Sequence, residues 1–134
     1  MLRLYHVRID DLDPQTRFDI SGGPNPDRPM LAARMFRDGH YEAVATAGFF
    51  SDNKGSLEAL WTMTQNGVLS PSWSREPPVG LAPLVPTTIW VDGEELGRRS
   101  TMIGDIIELR RNGQTLSRHV ADWQGFRLMP LEVK

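Results

Sequence analysis

Asn112-Gly113 is the feature that most constrains this chain, because it stands between IIELRR and QTLSRHV. Asn-Gly adopts the left-handed backbone of a two-residue hairpin turn, so the flanking runs must pair antiparallel. Asp92-Gly93 punctuates the chain in the same way after the strand expected at Thr87 to Val91. Met102 to Arg110 reads as a further strand, bent at Gly104-Asp105, and Gly125 to Met129 as a short last strand stopped by Pro130. From residue 87 onward the grammar is β.

The first half mixes periods. Tyr5, Val7 and Ile9 alternate with Leu4, His6 and Arg8, the pattern of a half-buried strand. Tyr41 to Phe49 alternates again, with Val44 on one face and Ala43, Ala45 and Ala47 on the other; an alanine face suits a closely packed helix. A helix is expected from about Pro29 to Asp38, with Asp27 accepting from its first amides and Gly39 stopping it. A second carries Leu57, Leu60, Trp61 and Met63, with Ser56 as its N-cap and Asn66-Gly67 at its end. Residues 19–29 hold three prolines and two glycines and read as a loop. Residues 68–86 hold five prolines, yet Trp73, Leu81, Leu84 and Val85 are too apolar for a tether. The segment is therefore expected to wrap the core as an ordered excursion.

These elements give one α+β domain over residues 1–134: a mixed or mainly antiparallel sheet, two short helices on one face, and a C-terminal β meander. A chain of 134 residues can bury about two-thirds of its unfolded surface, enough for an independent core. With no cysteine, the chain has no disulfides, thiolate metal ligands or cysteine nucleophile, which fits a reducing compartment. No apolar run reaches the length of a membrane span, and MLRLYHVRIDDLDP lacks the features of a signal peptide. The expected place is a reducing cytoplasm, with no membrane partner.

No catalytic motif stands out. His6, His40 and His119 show no helical metal spacing, and no metal or cofactor is expected. His119 with Asp122, and Ser100 or Ser117 as nucleophile, offer only a scattered set without a G-x-S-x-G elbow. Asp105 beside Gly104 reads as a group that bonds its own backbone. Phosphate-loop motifs are absent.

Charge is asymmetric along the chain. Residues 1–96 carry 8 basic and 13 acidic side chains, whereas residues 97–134 carry 7 basic and 4 acidic. Arg98, Arg99, Arg110 and Arg111 fall in that tail; such cations protect strand edges from pairing, and a cluster of them could also meet phosphates or an acidic partner. Of four tryptophans, Trp61 and Trp90 read as core. Trp73, two residues before Arg75, and Trp123 sit in irregular segments, where each could anchor a partner or close over the core.

Two stretches carry a family resemblance. FRDGHYEAVATAGFFSDNKGSLEALWTMTQN, followed by Ser72-Trp73, is similar to a pattern in small actinobacterial and bacteriophage proteins of unknown function. Their R-S-x-S-x-G-D-x-I … G-F tail resembles Arg99-Ser100-Thr101-Met102-Ile103-Gly104-Asp105-Ile106-Ile107 and Gly125-Phe126, with Met102 where the family has serine. The resemblance covers about residues 35–127 and implies a small accessory protein of phage, plasmid or actinobacterial origin. It implies no activity. The resulting expectation is a non-enzymatic accessory that binds a host macromolecule, a protein first, through Trp73, Arg75, Arg98, Arg99, Arg110 and Arg111. A nucleic-acid binder using the basic C-terminal hairpin is the alternative, and a small hydrolase or nuclease the third reading.

Overall fold

The first strand of the chain lies at the middle of its sheet. Leu2–Val7 (β1) pairs antiparallel with Tyr41–Ala47 (β2) on one side and Ile106–Arg111 (β6) on the other. Leu81–Pro83 (β3) extends the sheet beyond β2, and Gln114–Asp122 (β7) and Gly125–Leu128 (β8) extend it beyond β6. The order β3-β2-β1-β6-β7-β8 is antiparallel throughout, and β6 to β8 form the expected meander. Ile89–Val91 (β4) and Glu94–Leu96 (β5) make a separate two-stranded hairpin. The computed structural model describes residues 1–48, 51–84 and 89–133. Phe49, Val85, Thr87 and Thr88, and the side chain of Trp90 expected in the core, lie outside the described residues.

The turns follow the backbone chemistry of their residues. Asn112 and Gly113 have φ of 53° and 78°, and Asp92 and Gly93 of 50° and 81°, the left-handed pairs that two-residue hairpins demand. β6 starts later than the apolar pattern from Met102 suggests. Asp105 accepts from the Met102 amide at 2.7 Å, so residues 102–105 form a turn before β6 begins at Ile106.

Arg28–Arg37 (α2) and Lys54–Met63 (α3) are the two expected helices. Their caps differ from expectation. Asn53, three residues before Ser56, caps α3 by accepting the Ser56 amide at 2.9 Å. Asp27 stands at the N-cap of α2 without a side-chain bond to the helix. Gly39, at φ +84°, does stop α2. A further one-turn helix, Pro14–Arg17 (α1), is capped by Asp13 and runs into a wider turn at Phe18–Gly22.

The helices lie on opposite faces of the sheet, not on one. Ile106 and Ile107 are neighbours on β6 and so point to opposite sides. Ile107 joins Leu2, Leu4, Val44, Leu57, Leu60 and Met63 in a core beneath α3. Ile106 joins Val7, Ile20, Ala32, Met35 and Val120 in a second core beneath α2. On β1 the alternation holds, with Leu2 and Leu4 on the α3 side and Tyr5 and Val7 on the α2 side; the strand ends there, and Ile9 packs on the α2 core from the one-turn 3-10 helix Ile9–Asp11. On β2 it does not. The register slips between Leu4 and Tyr5, leaving Val44 as an extra residue, so Val44 and Ala45 both reach the α3 core.

The proline-rich segment is an ordered excursion over its described part. Trp73 is fully buried in the α3 core, and Leu81 enters the same core as β3 pairs with β2. Leu84, in contrast, stays exposed.

Candidate functional site

Trp73 cannot anchor a partner. It is 0% exposed, and its indole N–H donates to the Arg99 carbonyl at 2.8 Å. Its ring meets His6 edge to face, with centroids 5.8 Å apart. Burial of the apolar ring and satisfaction of its one polar group make it a core residue. Arg75 is exposed on the same excursion, next to buried Ser74.

The four candidate arginines do not converge. Arg99 donates to the Val7 carbonyl and the Arg110 amide donates to the Met1 carbonyl, at opposite ends of β1. A strand of that length separates the two pairs by about 20 Å. Most of their charge is also compensated within the chain. Arg98 pairs with Glu42 at 3.2 Å, Arg99 clamps Asp105 through two nitrogens at 2.7 and 2.8 Å, and Arg110 pairs with Glu108 at 3.0 Å. Arg111 remains exposed at the β6–β7 turn. The basic tail seen in the sequence is thus spread over the fold and mostly paired with its own acids.

Two of those acids, Asp105 and Glu108, are buried where no local pattern announced it. Glu108 is fully buried and accepts from Tyr5, Arg110, Thr115 and Arg118. Burial pushes its carboxyl up, but the bonds from Arg110, Arg118 and Tyr5 outweigh it and hold the group below the ordinary carboxylate range. Asp105, also buried, accepts from the Val7 amide as well as from Arg99 and Met102. The Gly104-Asp105 turn is therefore locked to β1 from below. Arg28, the one fully buried arginine among the described residues, donates to Asp122 and to the Ile20 and Gly23 carbonyls. It fastens the Phe18–Gly22 turn to the end of β7.

A cleft of about 350 Å³ opens at the end of β1, lined by His6, Arg8, Asp10, Glu42, Arg98 and Arg99 among others. His6 is buried behind it, and burial lowers its pKa to about 4 against the opposing pull of Asp105. Its Nε2 lies 3.0 Å from the Thr101 hydroxyl, which donates to Thr64 at 2.8 Å, which in turn donates to the Leu60 carbonyl at the end of α3. With Thr101 donating onward, Nε2 must carry the proton and donate to Thr101. This chain of hydroxyls satisfies a neutral imidazole. It gives His6 a structural role.

The catalytic candidates do not assemble. His119 and Asp122 are three apart on β7 and face opposite sides of the sheet. His119 lies 4.0 Å from Asp52 on the α3 side, whereas Asp122 pairs with Arg28 and Arg127. Ser117 donates to Asp52 at 2.6 Å, and Ser100 accepts from the Asn66 amide at 2.9 Å. Among the described residues, no group of three or more histidine and acidic side chains is placed to hold a metal ion. No described helix is long and apolar enough to cross a membrane.

What the structure leaves open is an apolar margin along the last hairpin. Trp123, in the β7–β8 turn, is 56% exposed, and Leu128 on β8 is 65% exposed. Leu131 follows, also exposed. Phe126, between them, packs edge to face on half-buried Trp61 with centroids 6.2 Å apart. Among the described residues no strand pairs with the outer side of β8. Compared with family models, curated proteins and solved structures, the chain matches none.

Proposed function

We propose that this chain is a small accessory protein that binds another protein through the margin formed by Trp123 and Leu128. The reading follows the bacterial, phage-type setting implied by the tail motif Arg99-Ser100 … Gly104-Asp105 … Gly125-Phe126, with a host protein in the cytoplasm as the partner. The observation that carries it is the exposure of Trp123 at the end of a sheet edge on which no described strand lies. Tryptophan held in a tight turn offers a large apolar surface at small entropic cost, and such residues dominate binding hot spots. Phosphate binding finds less support, because Arg98, Arg99 and Arg110 already spend their charge on Glu42, Asp105 and Glu108.

The test is a pull-down from bacterial lysate with wild type and Trp123→Ser, each with and without nuclease. A protein band retained after nuclease and lost with Trp123→Ser is the expected result. A band that nuclease removes, or that Trp123→Ser retains in full, refutes the reading.

A further inference from the structure

The geometry of β8 points to how such a partner is held. The two-residue turn at Trp123-Gln124 closes on the Asp122–Gly125 pair, and Val120–Arg127 follows two residues on. The Met129 amide then donates to the Arg118 carbonyl at 2.9 Å. In an antiparallel ladder, pairs that exchange hydrogen bonds alternate with pairs that do not. Gly125, Arg127 and Met129 therefore turn their backbone groups inward to β7. Phe126 and Leu128 turn theirs outward, where no described strand meets them. The opposite edge is different, since β3 ends in Pro83, which has no amide to offer. β8 carries no such block within its four residues.

The side chains flanking this edge define what could lie on it. Phe126 and Leu128 pair with Ala121 and His119 and so share the α3 face. A groove of about 450 Å³ separates α3 from this hairpin, lined by Asp52, Lys54, Leu57, Glu58, His119 and Phe126 among others. Lys54 and Glu58 face each other at 3.8 Å in the exposed first turns of α3. Among the described residues Asp52 has no such cation: its partners there are the Ser117 hydroxyl at 2.6 Å and His119 at 4.0 Å. Burial depresses the pKa of His119, so the imidazole is neutral at neutral pH and does not balance the carboxylate.

We infer that β8 receives an extended segment of a partner protein, added as a seventh strand, with aliphatic side chains on Phe126 and Leu128 and a lysine or arginine on Asp52. The outward amides and carbonyls supply the backbone bonds, and the groove supplies the selectivity, as in other strand-addition complexes. This inference rests on the protein-binding reading above.

The probe is a random dodecapeptide library panned on the immobilised full-length chain, with affinities of enriched peptides then compared across variants. Leu128→Ala removes the side chain and keeps the outward amide, while Leu128→Pro removes both. Neither touches the bonds to β7. Enriched peptides should alternate aliphatic residues with a lysine or arginine on the same face. Leu128→Pro should weaken them roughly tenfold more than Leu128→Ala does. Asp52→Asn, at a site outside any helix or strand, should weaken the basic peptides several-fold and gives a second reading if Leu128→Pro unfolds. Equal binding to the Pro and Ala variants, with loss on Trp123→Ser, overturns strand addition while leaving protein binding in place. Enrichment of acidic peptides, or of none above bare support, overturns the inference. So does a concentration-dependent dimer abolished by Leu128→Pro, which would give the edge to a second copy of the chain.

Discussion

Replacing His6 with glutamine should flatten the pH dependence of stability between pH 6.5 and 4. In the folded chain burial holds His6 to a pKa of about 4, against 6.5 for a free imidazole. Above pH 6.5 the ring is neutral in both states, and the folded state keeps its full stability. As pH falls toward 4 the unfolded chain takes up a proton that the folded chain refuses, so stability drops by about 1.4 kcal/mol per pH unit. Over the whole interval the loss is about 3 kcal/mol, a large share of the stability of a small domain. His119, Asp122, Glu108, Asp38 and Asp13 also have lowered pKa values and lose stability in acid. Those groups are common to wild type and His6→Gln, so they cancel in the difference. The assay is urea unfolding followed by tryptophan fluorescence at half-unit pH steps, with Trp73 beside the substituted position as reporter. Glutamine keeps a side-chain N–H for Thr101 and does not titrate. Parallel profiles for the two proteins would refute the argument, because they would mean that water reaches His6 freely enough for it to titrate normally.

Glu108→Gln removes the charge that Arg110 and Arg118 share across β6 and β7, and should cost about 2–3 kcal/mol in chemical denaturation; an unchanged midpoint would show that the two guanidiniums find water instead. Gly104→Ala places a Cβ 2.7 Å from the Ile20 carbonyl at a φ of +96°, and should destabilise by about 2–3 kcal/mol; a melting temperature within a degree of wild type would contradict that packing. Trp73→Ala should cost about 3–5 kcal/mol, whereas Trp123→Ser should leave the melting temperature nearly unchanged; the reverse order would exchange their roles.

Elements that depend on a few adjacent residues could be read from the sequence. Asn112-Gly113 and Asp92-Gly93 adopt the left-handed turns their side chains favour, and Tyr5 and Val7 share a face as their spacing requires. The side of the sheet taken by each helix could not be read from either helix alone, since each shows only one apolar stripe. The signal lay in Ile106-Ile107, because apolar residues at successive positions of a strand require cover on both faces. Val44 escaped the pattern because a one-residue bulge resets the period. The buried charges were illegible for a different reason. Arg28 enters the interior because Asp122, far along the chain, neutralises it, and nothing adjacent to Arg28 records that. Glu108 is neutralised by Arg110 two residues on and by Arg118 across the hairpin, but an acid between two arginines on paired strands reads equally as an exposed ion pair. Net charge along the tail conceals that Arg98, Arg99 and Arg110 meet acids from β2, the turn before β6 and β6 itself. Trp123 differed from Trp73 only in having no core within reach.

The central place of β1 has a consequence for how the molecule is made. Leu2 is paired with Ala47 on one side and with Leu109 on the other. Closing the second of those contacts in an otherwise unfolded chain costs about 4 kcal/mol in loop entropy beyond a constant term. During synthesis β1 and β2 can meet early, but the pair presents a bare inner edge until β6 has been added. Folding should therefore be slow for a chain of this size, on the scale of milliseconds to seconds that distant strand pairing sets. In that interval the nascent protein is open to wrong pairing along β1, and it is the arrival of the last thirty or so residues that ends the exposure.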